Sequence, residues 1–277
     1  MDLLLFECIV IGVSILAGTI GALVGLGGGI IITPFLVLCF GIDIRYAMGA
    51  ALTSVIATSS GAAISYVKDG ISNIKISMFL SIATTIGAVS GAFIAMMISK
   101  NLLSIFFGIA LLLTALLSLM KKPKVENMTS TPLAIKLQLP GTYQADRKTH
   151  AYPVVGVIPG FIVMWIAGVL SGLLGIGSGA FKVLGMDQIM KIPFRVTTAT
   201  SNFMIGITAA ASVGIYLKAG YIEPLFAAPV ALGVLFGAFI GARLLQVVPV
   251  NILKMIFLIA ISIISIQMIV RGVGISL

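Results

Sequence analysis

Two glycine clusters, Gly27-Gly28-Gly29 and Gly177-Ser178-Gly179, are the groups in this sequence best suited to chemistry. Each precedes a short apolar run, which puts its backbone N–H groups at the start of a short helix, where the helix dipole gathers positive charge and can hold a small anion. Lys182 follows the second cluster, at the position that corresponds to Ile32 after the first. A cation there opposes the dipole unless an anion sits beside it, and an ionisable group at membrane depth points to function. Thr53 and Ser54 in one stretch, and Thr200, Ser201 and Asn202 in another, would add neutral hydrogen-bond donors. Arg45 and Arg195 occupy matching short connections and would gather anions at an entrance, while Asp187 would carry a coupling proton.

Each of these has a plainer reading. Gly21, Gly25 and Gly29 at spacings of four also form a small-residue packing face. A long cation can snorkel to an interface, and membrane hydroxyls often bond the preceding turn of their own helix. Arginines at membrane ends anchor in headgroups, and Asp187 would sit equally well at an interface near Lys191.

Other chemistries find no support. The phosphate loop G-x-x-x-x-G-K-[ST], H-E-x-x-H and G-x-S-x-G are all missing from the sequence, and Gly175-x-Gly177-x-x-Ala180 follows an apolar membrane run instead of the strand that a dinucleotide fingerprint requires. No enzyme, catalytic residue, cofactor or metal site is expected. Cys8 and Cys39 both lie in apolar runs and suggest no disulfide.

The elements that position these groups are membrane helices. Of 277 residues 60% are hydrophobic and 9% charged, and the mean hydropathy is +1.22, whereas soluble domains carry about 25% charged residues. A net charge of +9 does not indicate nucleic acid, because six of the 17 basic residues (Lys121, Lys122, Lys124, Lys136, Arg147, Lys148) share one segment between apolar blocks. Such a segment belongs in the cytoplasm by the positive-inside rule. The first residues, Met1 to Glu7, contain no basic region and no cleavage site, so no removable signal is expected. His150, the one histidine, reads as solvated.

The sequence is internally repetitive. Ala17-Gly18 and Gly25-Leu-Gly-Gly-Gly29 reappear 150 positions later as Ala167-Gly168 and Gly175-Ile-Gly-Ser-Gly179. Thr53-Ser54 pairs with Thr200-Ser201, Lys68-Asp69-Gly70 with Lys218-Ala219-Gly220, and Gly91-Ala-Phe-Ile94 with Gly237-Ala-Phe-Ile240. The expected organisation is an all-α polytopic membrane protein: a first membrane repeat over 1–120, a cytoplasmic linker over 121–150 and a second repeat over 151–277, each of about four helical elements. Residues 3–24 can form a complete helix, but 30–40 give one of only ~16 Å, half a bilayer. The glycine-rich elements are therefore broken or re-entrant. Non-helical backbone at that depth must face protein or water, so a cavity between the breaks is expected. Hairpins that return to their own side make the repeats inverted, the arrangement that the acidic N-terminus favours; continuous spans make them parallel.

The motifs Gly25-Leu-Gly-Gly-Gly-Ile-Ile-Ile-Thr-Pro34, Ala51-Leu-Thr-Ser54, Gly175-Ile-Gly-Ser-Gly-Ala-Phe-Lys182 and Ala199-Thr-Ser201 resemble those of the sulfite exporter TauE/SafE family of membrane transporters. The resemblance covers nearly the whole chain outside the linker. It implies a multi-pass cell-membrane permease of about eight helices in two halves that exports sulfite, sulfonates or related anions. Ser178 and Leu184 depart from the family pattern, which has a third consecutive glycine and a proline at those places. The expected function is a secondary transporter of a small sulfur-containing anion bound near the midplane between the two breaks. Alternatives are a carrier of a different solute or cation, or a non-transporting membrane sensor. The expected partners are the small anion, the lipid bilayer and, as an open option, further copies of the chain.

Overall fold

The computed structural model describes residues 3–68, 70–118, 129–145, 148–244 and 250–274. Asp2, Asp69, Arg147 and linker residues 121–128 lie outside them. Among the described residues the fold is all-α apart from one hairpin, and six of the helices are long and apolar enough to cross a membrane.

The first half contains α1 (Leu3–Val24), α2 (Gly29–Phe40), α3 (Ile44–Lys68), α4 (Ile74–Met97) and α5 (Lys100–Ser118). The connecting segment folds as α6 (Pro132–Lys136) and an antiparallel pair, β1 (Gly141–Ala145) and β2 (Lys148–Tyr152), with Gly141 opposite Tyr152. The second half contains α7 (Val157–Leu174), α8 (Gly179–Leu184) continued by a π-helical turn (Gly185–Ile189), α9 (Phe194–Lys218), α10 (Pro224–Leu244) and α11 (Val250–Val273). The expected boundary at 151 falls inside β2.

Both glycine-rich elements are hairpins. At 22 residues α1 is ~33 Å long, and α2, at 12 residues, is ~18 Å. Chain reversal between them requires left-handed backbone at Gly25 (φ 75°) and Gly27 (φ 76°), which glycine adopts without steric cost. Gly175 (φ 67°) and Gly177 (φ 70°) repeat that conformation. Phe6 near the start of α1 stacks edge-on with Phe40 at the end of α2, centroids 4.7 Å apart, so the hairpin begins and ends on one face of the bundle. Arg45, Ile98 and Tyr221 meet on that same face. The second hairpin opens on the other face, where Val155 N–H donates to Met190 O at 3.2 Å beside Asn73, Leu139 and Tyr152.

The hairpins exchange partners between halves. α1 lies along α10, and α7 along α4. Glycines make both seams close: a methyl on Gly18 would strike the Val234 backbone, and one on Gly168 the Thr84 backbone. Gly237 and Gly241 face α1 at Ile15 and Thr19 as Gly87 and Gly91 face α7 at Trp165 and Val169. Apolar interdigitation supplies no drive between helices in lipid, so this backbone proximity is what allows dispersion and weak hydrogen bonds to hold them. Leu16, Ile86, Phe93, Ile158 and Phe236 project outward, as side chains solvated by lipid would.

Candidate functional site

The two breaks meet in the interior. A methyl on Gly179 would strike the Gly25 carbonyl, and one on Gly29 would lie 3.2 Å from Gly175 O and 2.9 Å from the Val55 side chain. Instead of the expected open cavity between the breaks, the structure has them in backbone contact. Ser201 ties them together from α9: its hydroxyl lies 3.2 Å from Gly25 O and 3.3 Å from Gly179 O. Asn202 Nδ2 donates to Ala22 O at 3.2 Å, and Ser59 Oγ donates to Asn202 O at 2.6 Å. Tyr66 OH also donates to Ala22 O, at 3.1 Å, and Tyr216 OH makes the same bond to Gly172 O at 3.1 Å.

The amides of the two breaks differ in their partners. In the first, Leu26 and Gly27 N–H donate to Gly21 O, and Gly28 N–H donates to Thr58 Oγ1 at 3.3 Å. In the second, the N–H groups of Gly177, Ser178 and Gly179 have no such partner among the described residues. Ser178 adopts φ 45°, where Gly28 has φ −69°, and its buried hydroxyl is also unpaired. A non-glycine residue in that region is disfavoured by about 1–2 kcal/mol, and such strain persists where surrounding structure imposes it.

Lys182 is wholly buried, at 0% exposure, although its side chain is one of the largest so enclosed. Its Nζ donates to Thr208 Oγ1 at 2.8 Å, and no carboxylate pairs with it among the described residues. Thr208 Oγ1 lies 2.7 Å from Met204 O and 3.1 Å from Thr84 Oγ1. The Thr208 hydroxyl accepts from the ammonium through a lone pair and has one proton for Met204 O or Thr84 Oγ1, while Thr84 Oγ1 donates to Ser81 O at 3.2 Å. A chain from the second hairpin through α9 to α4 of the first half results. Thr84 carries no signal in the sequence, because only the fold brings α4 beside α9.

The remaining expected residues separate into those near the breaks and those elsewhere. Thr53 and Ser54 bond Ala50 O and Ala51 O of their own helix, each at 2.7 Å. Thr200 Oγ1 accepts from Asn73 N–H at 3.1 Å and so fixes the α3–α4 connection. Tyr66 and Tyr216 make the same bond to Ala22 O and Gly172 O, 150 positions apart, and that spacing sets Ala50 and Ala51, not Thr53 and Ser54, opposite Thr200 and Ser201. Gly91 matches Gly241 in the same way, one helical turn beyond Gly237.

Arg45 is held at the bundle's rim by Tyr221 OH (3.2 Å) and Ile98 O (2.8 Å), with its guanidinium over the Tyr221 ring at 5.5 Å. Arg195 is exposed on the opposite face. Asp187 sits half-buried on the π-helical turn, its carboxylate accepting from Gln188 Nε2 at 3.3 Å.

The connecting segment closes over the second hairpin. Ala134, Leu139, Tyr152 and Val154 pack with Met186, Met190, Ile192 and Val196. Asn73 organises this contact: Oδ1 caps α4 at Ile76 N–H, and Nδ2 donates to Leu139 O at 2.9 Å and to Tyr152 OH at 2.8 Å. Beside it lies a cavity of about 270 Å³ bounded by Ser72, Asn73, Lys75, Gln138, Thr142 and Tyr152. Burial raises the Tyr152 phenol above its ordinary range, against a smaller opposing effect of the Asn73 hydrogen bond.

Comparison with known proteins agrees with a transport architecture. The chain is similar to "Probable membrane transporter protein YunE" of Bacillus subtilis (30% identical, covering 96% of this chain and 98% of the relative). It is also similar to "Probable membrane transporter protein YdhB" of the same organism (28%, covering 89% and 93%) and to "Probable membrane transporter protein MJ0441" of Methanocaldococcus jannaschii (25%, covering 88% of each). No solved structure matches. The family model described as sulfite exporter TauE/SafE matches residues 10–268, and a match of that extent, on a multi-pass bundle with paired glycine hairpins, makes the chain a member of the TauE/SafE family of membrane transporters.

Proposed function

We propose that this protein is a secondary transporter that exports a small sulfur-containing anion, such as sulfite or an organosulfonate, bound where the two glycine breaks meet. The carrying observation is Lys182: a fully buried cation bonded, among the described residues, only to a neutral hydroxyl. Burying an unpaired ion costs several kcal/mol, and an anionic solute beside Nζ would offset that cost. The unpaired amides of Gly177 to Gly179 and the Ser178 hydroxyl would complete its donor shell, with Gly27 to Gly29 across from them and Ser201 and Asn202 at the side. Export and sulfur chemistry rest on the family description.

In this reading the contact between the breaks is a closed state. A solute enters when a hairpin slides along its glycine seam, α1 on α10 or α7 on α4, from opposite faces in turn. Residues 1–120 and 151–277 act as inverted copies, a view supported by hydrogen bonds that recur 150 positions apart. Lys75, Lys136, Lys191, Arg195 and Arg243 lie at the face that carries the connecting segment, against Arg45, Lys100, Lys218 and Arg271 at the other, and the basic run Lys121, Lys122 and Lys124 of that segment favours its face as cytoplasmic.

Flux of sulfite and of methanesulfonate in proteoliposomes tests the assignment. Loss of flux in Lys182→Ala, with correctly folded protein, is the expected result. Undiminished flux in that variant would remove the site.

A further inference from the structure

We infer that the site selects a monoanion over a dianion, an inference that rests on the proposed anion transport and adds its charge class. The argument is a count of buried charge. Lys182 is the one charged side chain that is fully buried among the described residues, and its counterpart in the first half is Ile32.

The elements packed against α8 bring no second cation to it. α7 has no ionisable residue from Val157 to Leu174. On α9 the ionisable groups are Arg195, Tyr216 and Lys218; Arg195 and Lys218 are exposed near its ends, and Tyr216 bonds Gly172 O. On α5 the charge is Lys100, 4.0 Å from Asp43 at the opposite rim, and on α4, which reaches Lys182 through Thr84, it is Lys75, bonded to Gln138. Asp187 on the π-helical turn is half-buried, brings no positive charge, and accepts from Gln188 Nε2.

Every other donor within reach of the breaks is neutral: hydroxyls, an amide side chain and backbone N–H groups. Neutral donors stabilise an oxyanion but do not cancel its charge. A monoanion beside Lys182 leaves the interior uncharged, whereas a dianion leaves one negative charge buried without a partner, the arrangement that costs most. A sulfonate carries one charge at any physiological pH. Sulfite satisfies the same rule as hydrogensulfite, in which case the proton rides on the substrate and no side chain has to carry it.

Thr208 fits this economy. A carboxylate holding Lys182 would have to be displaced by each arriving anion, but a hydroxyl competes less, because a bond between an ammonium and a neutral oxygen lacks the attraction between two opposite charges.

The test measures inhibition of methanesulfonate flux in proteoliposomes by two competitors. Sulfate is a dianion throughout; methylphosphonate is nearly isosteric with methanesulfonate and passes from monoanion to dianion as pH rises through neutrality. Sulfate is expected to compete at least about tenfold more weakly than unlabelled methanesulfonate. Methylphosphonate is expected to lose potency as pH rises while unlabelled methanesulfonate does not. If sulfate competes as well as methanesulfonate, or methylphosphonate keeps its potency as a dianion, the charge rule fails while the transport assignment stands. If the full-length protein moves neither methanesulfonate nor sulfite, the transport assignment fails and takes this inference with it.

Discussion

Lys182 Nζ and Thr208 Oγ1 lie 2.8 Å apart, and this bond replaces one that the other half makes between different groups. Thr58, at the place in α3 that Thr208 holds in α9, accepts the Gly28 N–H at 3.3 Å. Where the hydroxyl is occupied by an ammonium, the neighbouring amides of Gly177 to Gly179 have no partner among the described residues and Ser178 is in left-handed backbone. The two breaks therefore differ in backbone and in donors: Gly27 and Gly28 N–H bond Gly21 O and Thr58 Oγ1, whereas Gly177 and Ser178 N–H have no partner among the described residues.

Lys182→Met should abolish anion flux without weakening the fold. Methionine keeps the length of the side chain and removes an unpaired buried ion, whose cost is several kcal/mol, against a lost hydrogen bond of about 0.5–1.5 kcal/mol. Thermal unfolding in detergent is therefore expected at an equal or higher Tm. A clear fall in Tm would show that Lys182 is a structural residue.

Thr208→Val should impair transport strongly, and Thr208→Ser should restore it. Valine matches threonine in shape but offers Lys182 no acceptor; hydrogen bonds to charged groups contribute roughly 1.5–3 kcal/mol. Serine keeps the acceptor. Equal flux in the two variants would mean that the methyl group, not the hydroxyl, is what matters at this position.

Gly179→Ala and Gly168→Ala should each lower stability by about 1–3 kcal/mol, because the added methyl meets the Gly25 carbonyl in one case and the Thr84 backbone in the other. Gly214→Ala provides the contrast. Its surroundings are open, and removing a glycine from the interior of α9 is expected to gain up to ~1 kcal/mol. Denaturation midpoints of the three variants, compared in one detergent, check both signs.

The breaks were legible in the sequence because glycine at Gly25, Gly27, Gly175 and Gly177 answers a local backbone demand, φ near 70°. The half-length of α2 and the oddity of Lys182 were legible for similar reasons, one from length and one from charge. Contacts between distant segments were not. Thr84 reaches Thr208 only because α4 packs beside α9, and the meeting of the breaks depends on two seams that periodicity does not encode. Thr53-Ser54 and Thr200-Ser201 are alike in residue type, but the recurring tyrosine bonds, 150 positions apart, put Ala50 and Ala51 opposite Thr200 and Ser201.

That register separates hydroxyls that serve the site from those that do not. Thr53→Val and Ser54→Ala should leave flux unchanged, since each hydroxyl only returns a hydrogen bond to its own helix, an interaction of little net value. Ser201→Ala removes the hydroxyl that spans Gly25 O and Gly179 O in the buried centre, so a destabilisation of about 1–3 kcal/mol and altered transport are expected. Parallel flux and melting measurements on the three variants check the division.

The docked connecting segment should release at alkaline pH through Tyr152. Burial raises this phenol above its ordinary value of 10.0, and the Asn73 bond opposes the shift only in part. The folded state thus holds the proton more tightly than the unfolded state does. Its contribution is complete below pH 10.0 and is lost as pH rises through the elevated folded value. Proteolysis of the segment between α6 and α7, followed across that range, should accelerate in the wild-type protein. Tyr152→Phe keeps the ring packed beside Leu139 and Val154 but gives up the Asn73 bond, at a cost of about 0.5–1.5 kcal/mol. The variant should be cleaved somewhat faster near neutrality and show no further step above pH 10.0. The same alkaline step in both proteins would assign the release to another group, since phenylalanine has nothing to titrate.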